Sequence, residues 1–362
     1  MKTLLLCFFL LNLYHVYPQK IDTAVIQSME VALTNGSFPN IHSILIAHNN
    51  KLVYEKYWAG KDKRWAKDIG LVAHGKNTLH DCQSITKSVV SICIGIALDQ
   101  KKIKGIHQKV FEFFPEYSLQ DTGLKAGITI KDLLTMTAGF KWNEDDYNSP
   151  DNSEHLMGAS ADPAGYMFAL PMVAAPGKVF TYNGGATQLL THIIQKATNK
   201  NIEEFAREYL FKPLGISNLE WIKFTASGLP DATSGLRLTS ADMLKLGLLY
   251  MNEGKWKGEQ VVPARWVKES VSPYIIADDG SDSRFGSSKY GYQIWLLADT
   301  IMNKPTPIAA FIGNGGQRIF IDKSNKVVAV FTGGNYRRPD IYLNPYNILR
   351  EFVYPALFKK IN

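Results

Sequence analysis

Ser84-Ile85-Thr86-Lys87 opens an apolar run that continues through Ser88-Val89-Val90-Ser91-Ile92-Cys93-Ile94-Gly95-Ile96-Ala97-Leu98. Its length predicts a helix that is apolar on nearly every side and therefore buried. Residues three apart share a helix face, so the Lys87 ammonium is expected one turn from the Ser84 hydroxyl. Desolvation disfavours a charged amine, so burial is expected to make Lys87 easier to deprotonate. A readily discharged amine beside a hydroxyl is one of the few ways to make serine nucleophilic without histidine. Taken alone the pattern is weak, because a chance S-x-x-K match is expected in 362 residues. Here the match is single and stands where a helix begins.

The chain's length suits one large domain or two intimate ones. Hydrophobic residues make up 46% and charged residues 20%, which excludes a disordered chain. The net charge of +7 comes from scattered residues with no arginine-rich block, so no nucleic-acid partner is expected. Lys2 followed by Thr3-Leu4-Leu5-Leu6-Cys7-Phe8-Phe9-Leu10-Leu11 reads as a secretory signal peptide over residues 1–19. That run is short for a membrane span, so a secreted or periplasmic protein without a stable span after signal removal is expected. An uncleaved anchor is the alternative. Cys82 and Cys93 lie too far apart along one helix to bridge and read as small buried packing residues.

Asp22 to Leu33 reads as an amphipathic helix closed by Asn35-Gly36. Ser43 to His48 and Lys51 to Trp58, around Asn49-Asn50, predict a hairpin. A polar stretch from Gly60 to Asn77 then leads to the Ser84 helix. Helices are expected after Thr129, Asn201 and Thr239, each opened by a capping residue. Trp142 to Ala175, rich in Asp, Asn, Pro and Gly, reads as a long ordered loop of functional type. Strands are expected at Tyr290 to Trp295, Ile308 to Ile312, Gln317 to Ile321 and Val327 to Thr332, and a helix after Asn344-Pro345. Strands at both ends around a helical middle predict an α+β fold, one antiparallel sheet built from both termini with a helical insert. The sheet part is placed at about 20–80 and 285–362 and the helical part at about 81–284, within a single unit 20–362.

Five blocks in this order form a pattern: Gln83-Ser84-Ile85-Thr86-Lys87-Ser88, Ile128 to Phe140, Pro176-Gly177-Lys178-Val179-Phe180-Thr181-Tyr182-Asn183-Gly184-Gly185, Gly235-Leu236-Arg237-Leu238-Thr239, and Gly313-Asn314-Gly315-Gly316-Gln317. The pattern resembles the serine β-lactamase-related family, which includes class C β-lactamases, penicillin-binding-protein-like peptidases, esterases and nylon-oligomer hydrolases. The resemblance covers essentially all of the mature chain and implies a β-lactamase/transpeptidase-like fold. It implies Ser84 as an acylated nucleophile, Lys87 as its proton partner and Tyr182 as the group that passes the proton to the leaving group. A phenol does so near neutral pH only if neighbouring positive charge lowers its pKa. Backbone N–H groups of Ser84 and of a Gly313–Gly316 strand would form the oxyanion hole.

Asn183, Gly313, Asn314, Gly315 and Gly316 are thereby the expected substrate-binding residues. The family's asparagine two places after the tyrosine is Gly184 here, and Asn183, one place early, is either its substitute or a turn residue. The Lys-Thr-Gly of β-lactamases is replaced by Gly313-Asn314-Gly315, which removes a cation that recognises carboxylates. Arg318 either substitutes for it or points away from the pocket. Tyr290, Tyr292 and Trp295 read as strand packing or pocket rim. His80, Asp81 and Cys82 are successive and cannot all face one ion, and no HExxH, paired CxxC or GxSxG occurs. No metal or cofactor is expected. The expectation is an exported serine hydrolase acting on a small-molecule or peptide ester or amide through an acyl-enzyme. The alternatives are a D,D-peptidase or β-lactamase, and a catalytically silent binding protein of the same fold.

Overall fold

The computed structural model describes residues 21–144, 146–279, 287–301 and 304–358. The proposed signal lies outside them. The fold is α+β, as expected. Its frame is an eight-stranded antiparallel sheet. In spatial order the strands are Ile275–Asp279, Ser287–Tyr290, Trp295–Ile301, Lys304–Gly313, Gln317–Asp322, Val327–Gly333, Ile41–His48 and Lys51–Tyr57. The two ends of the chain meet where Ile41–His48 pairs with Val327–Gly333, for instance Leu45 with Val330.

Ile41–His48 is buried along its whole length because both sheet faces are covered. Ile44 and Ile46 enter one apolar cluster, with Met29 of the Thr23–Thr34 helix and Val353 near the C-terminus. Leu45 and Ala47 enter the other, which holds the helices of the middle region. Alternation along the strand thus sends neighbours into different cores. The helix Ser240–Met251 packs on that second face against Val327–Gly333 and Gln317–Asp322. Behind it, the helices Ile85–Asp99 and Gly184–Thr198 pack against each other. Among the described residues no helix is long and apolar enough to cross a membrane.

The hairpin at Asn49-Asn50 forms, both asparagines taking left-handed φ of 51° and 61°. The capped helices form too, Thr129 accepting from the Asp132 backbone and Asn201 from that of Glu204. Three expectations need correction. The segment from Trp142 to Ala175, expected as one long loop, holds the helices Ser153–Gly158 and Pro163–Ala169. The polar stretch after Gly60 is a hairpin of Gly60–Arg64 with Lys67–Val72, its turn made by Trp65 and Ala66 at φ of 47° and 67°. Tyr290 to Trp295 is a bend between strands. Ser287–Tyr290 ends, Gly291 N–H bonds the Ile294 carbonyl at 2.9 Å, Gln293 sits at φ 60°, and Trp295–Ile301 returns. Aromatic content suggested a strand there. The side-chain amide of Gln293 instead donates to the Leu133 carbonyl, and its backbone carbonyl accepts from Ser88 Oγ, which ties the bend to the helices.

Candidate active site

Ser84 stands at the mouth of the Ile85–Asp99 helix, half-buried. Gln83 before it has a left-handed φ of 51°, an uncommon backbone for a residue with a side chain. Lys87 is 2% exposed. Its Nζ donates to Ser84 Oγ at 3.1 Å and to the Thr233 carbonyl at 3.0 Å. That carbonyl is fixed by a turn in which Asp231 Oδ1 accepts from Thr233 N and Oγ1 at 2.7 and 2.6 Å. Tyr182 faces the same pair, its ring centroid 4.9 Å from Lys87 Nζ, and the Ser84 side chain is among the groups that act on its phenol. Trp295 and Tyr290 wall the ring, with centroids 5.9 and 6.5 Å away. The three residues that the sequence pattern singled out therefore converge.

Two residues that sequence reasoning passed over complete the site. Glu144, from the Trp142–Ala175 loop, is 9% exposed. Its Oε1 lies 4.0 Å from Lys87 Nζ. Its Oε2 accepts from Trp142 Nε1 and from the Gly184 backbone N–H, both at 2.6 Å. A Cβ at Gly184 would come within 3.2 Å of that oxygen and 2.9 Å of Thr233 Cγ2. The absent side chain at 184 is thus the space that Glu144 uses. The other is Arg337, whose guanidinium covers the Tyr147 ring at 4.2 Å while its backbone N–H donates to Asn314 Oδ1 at 3.1 Å. The one local signal for Glu144 was its position two residues after a tryptophan in a loop already marked as functional.

The electrostatics overturn two expectations, an easily discharged Lys87 and a Tyr182 phenol whose pKa is lowered by its cationic neighbour. Burial by itself would push Lys87 down, but the ionisable groups around it, Tyr182 and Glu144 first and then Glu154 and Tyr147, more than offset it, and its pKa moves up. The ammonium form is the resting form. Burial pushes the Tyr182 phenol up to about 12 although Lys87 pulls the other way. Burial likewise raises Glu144 to about 7 against the opposing pull of Lys87. At neutral pH Tyr182 is therefore neutral, and Glu144, titrating in that range, carries part of the negative charge that faces Lys87.

The expected binding residues are distributed less simply. Asn183 is 3% exposed, and its side-chain oxygen caps the Gly184–Thr198 helix by accepting from Ala186 N at 2.9 Å. Its φ of −146° is extended, so a left-handed turn residue does not describe it, and the cap uses only its side-chain oxygen. Gly313 ends its strand against the nucleophile turn, where a Cβ would collide with the Cys82 carbonyl oxygen. The expected Gly313–Gly316 strand stops there. Asn314, Gly315 and Gly316 form the hairpin turn to Gln317, with Gly315 and Gly316 at φ of 88° and 101°. Asn314 Oδ1 accepts from the N–H groups of Gly315 and Arg337. Arg318 is fully buried, bonding the carbonyls of Gly313, Gln317 and Tyr342, so it faces backbone rather than pocket. Tyr292 stacks on Tyr274 at 4.5 Å and takes no part in walling Tyr182.

An α+β frame carrying a Ser-Lys pair at a helix start, with a tyrosine against both, defines the class of β-lactamase-like serine hydrolases. The family described as Beta-lactamase matches residues 33–350, and the chain belongs to it. The 6-aminohexanoate-dimer hydrolase of Paenarthrobacter ureafaciens is 25% identical over 264 residues, 69% of this chain and 65% of that protein. The chain thus spans just under two thirds of that relative's length. Among solved structures, EstCE1, described as a hydrolase with promiscuous acyltransferase activity, superposes with a TM-score of 0.71 at 15% identity, covering 93% of this chain and 98% of that one. The octameric penicillin-binding protein homologue of Pyrococcus abyssi gives 0.64 at 18% identity, over 90% and 77%. These two likenesses show the fold.

Proposed function

We propose that the protein hydrolyses an ester or amide through an acyl-enzyme on Ser84, with Lys87 and Tyr182 handling the proton. The observation that carries this reading is the donation of Lys87 Nζ to Ser84 Oγ, at 3.1 Å, with the Tyr182 ring centroid 4.9 Å from the same ammonium. A neutral phenol both donates and accepts, so it can relay a proton without a separate base. Ser84 Oγ bonds to the substrate carbonyl carbon as its proton passes to Tyr182 oxygen. The phenolic proton goes to the departing alcohol or amine as the bond from the carbonyl carbon to that group breaks. Water then attacks the acyl-enzyme, and its proton returns through Tyr182 to Ser84 Oγ. The Lys87 ammonium stabilises negative charge on the two oxygens during both steps. The Ser84 N–H and the backbone at Gly313 are the proposed oxyanion donors.

The name of the Paenarthrobacter relative supports an amide as substrate, and that of EstCE1 supports acyl transfer. The segment 1–19 supports export, so we place the activity outside the cytoplasm. A second reading, action on peptides or β-lactams that carry a carboxylate, needs a cation at the pocket. Arg318 does not offer one; Arg337, exposed beside Asn314 and Tyr147, is the cation this reading would use.

The test is hydrolysis of p-nitrophenyl acetate and butyrate, and of nitrocefin, by the purified protein and by Ser84→Ala. Ester turnover that disappears in the variant is expected. Equal rates in the two proteins would refute the nucleophile and leave the silent binding protein.

A further inference from the structure

A second group of chemically capable side chains lies outside the Ser84 site. His42 comes from the Ile41–His48 strand, Asp62 from Gly60–Arg64, His74 from the segment after Lys67–Val72, and His80 from Leu79–Asp81. All four are buried, and each offers one ligand-type atom within 4.8 Å of the others. Of the successive residues His80, Asp81 and Cys82, only His80 joins the group. Asp81 pairs with Arg237 at 2.8 Å.

Buried polar atoms are nearly always paired, and these are not. Nδ1 of His42 and Nδ1 of His80 have no hydrogen-bond partner, on residues 0% and 1% exposed. His74 faces the Gly60 backbone without a hydrogen bond of normal geometry from either ring nitrogen. The tautomer of His42 is set from outside. Its Nε2 lies 3.1 Å from the Lys61 carbonyl and 3.2 Å from Asn40 Oδ1, so the proton belongs there and Nδ1 holds a bare lone pair. That lone pair faces Asp62 Oδ2 at 4.0 Å. A lone pair opposite a carboxylate oxygen is repulsive unless a cation lies between them. The other carboxylate oxygen, Oδ1, is oriented by Lys63 N at 2.8 Å and Tyr336 OH at 3.1 Å. Ligands whose remaining atoms are anchored by carbonyls and hydroxyls are the usual support of a metal site.

We propose that His42, Asp62, His74 and His80 bind one divalent transition-metal ion of the zinc type. Imidazole nitrogens with one carboxylate are a donor set that suits this ion. Bonds of about 2.0–2.1 Å to a tetrahedral ion place ligand atoms roughly 3.3 Å apart, so the cluster closes by side-chain shifts on the order of 1 Å. The rings of His42 and His74, stacked at 3.8 Å, part in doing so. The ion would clamp the Ile41–His48 strand, the Gly60–Val72 hairpin and the segment that leads into Ser84. Its role is structural, because its ligands are not among the groups that meet Ser84.

The test uses the full chain, purified without chelator and without a metal-affinity step. Metal content is measured by mass spectrometry, Zn2+ affinity by calorimetry, and Co2+ substitution by the visible d–d spectrum. One equivalent of ion is expected, with intense tetrahedral Co2+ bands and a higher melting temperature than the chelated protein. In His74→Ala and Asp62→Asn the affinity should fall by at least about 10-fold. No stoichiometric binding by the folded wild type would overturn the proposal, as would equal affinity in the variants, which marks adventitious surface metal. If either variant fails to fold, absence of Co2+ bands or an unchanged melting temperature on chelation in the wild type would overturn it equally.

Discussion

Glu144 Oε1 stands 4.0 Å from Lys87 Nζ, with both side chains almost wholly withdrawn from water. The pair decides the protonation of the site. With a carboxylate that close, Lys87 stays an ammonium despite its burial, and the proton relay falls to Tyr182.

Removing the charge of Glu144 while keeping its shape should therefore move Lys87. Burial, which lowers Lys87, remains in Glu144→Gln, whereas one of the four influences that raise it, the second largest after Tyr182, is lost. The alkaline limb of the kcat/KM profile for p-nitrophenyl butyrate should shift to lower pH. An unshifted limb would show that the two residues are not coupled in this way.

The same carboxylate shapes stability against pH. Its folded value of about 7 exceeds the ordinary 4.5, so the fold favours the protonated form. That contribution is complete below pH 4.5 and is lost as pH rises through about 7. The loss is on the order of 3 kcal/mol. Melting temperatures should fall across that window in the wild type relative to Glu144→Gln, which lacks the titrating group. Parallel curves would argue against a raised carboxyl.

Lys87→Met leaves Glu144 buried without its cation, and breaking a buried pair costs about 3–5 kcal/mol. Denaturant unfolding should show that loss, and adding Glu144→Gln should recover most of it. Hydrolysis should remain abolished in both. Recovery of turnover in the double variant would mean that Lys87 serves only to balance charge.

Tyr182→Phe keeps the packing against Trp295 and Tyr290 but removes the hydroxyl proposed to relay the proton. kcat should drop by about 10²–10⁴, the usual worth of a proton-transfer group, at nearly unchanged melting temperature. A full-rate Phe variant would move the relay elsewhere.

Asn183→Ala removes a helix cap and should cost about 1 kcal/mol, while Asn183→Ser keeps most of it. Arg337→Ala offers the contrasting behaviour. It should raise KM for substrates bearing a carboxylate and leave p-nitrophenyl butyrate unaffected. Calorimetry and paired kinetics on the three variants separate capping from recognition.

The sequence by itself determined the class of fold and the core of the site. Local signals were enough: the Asn49-Asn50 turn and the caps at Thr129 and Asn201 act within a few residues, and Ser84 and Lys87 are neighbours on one helix. Tyr182 was legible only through the order of the blocks, since the family's asparagine two places on is Gly184 here. Tertiary structure alone decided what touches these residues. Glu144 is one acid in a loop rich in acids until the fold sets it over Gly184. Arg318, read as a possible anion contact, turned inward because the Gly313, Gln317 and Tyr342 carbonyls needed its donors. The direction of the Lys87 shift followed from a charge 57 positions away in the chain, and the His42, Asp62, His74, His80 cluster draws on four separate segments. Charge and coordination act through space, and a linear pattern records only the contacts that lie close along the chain.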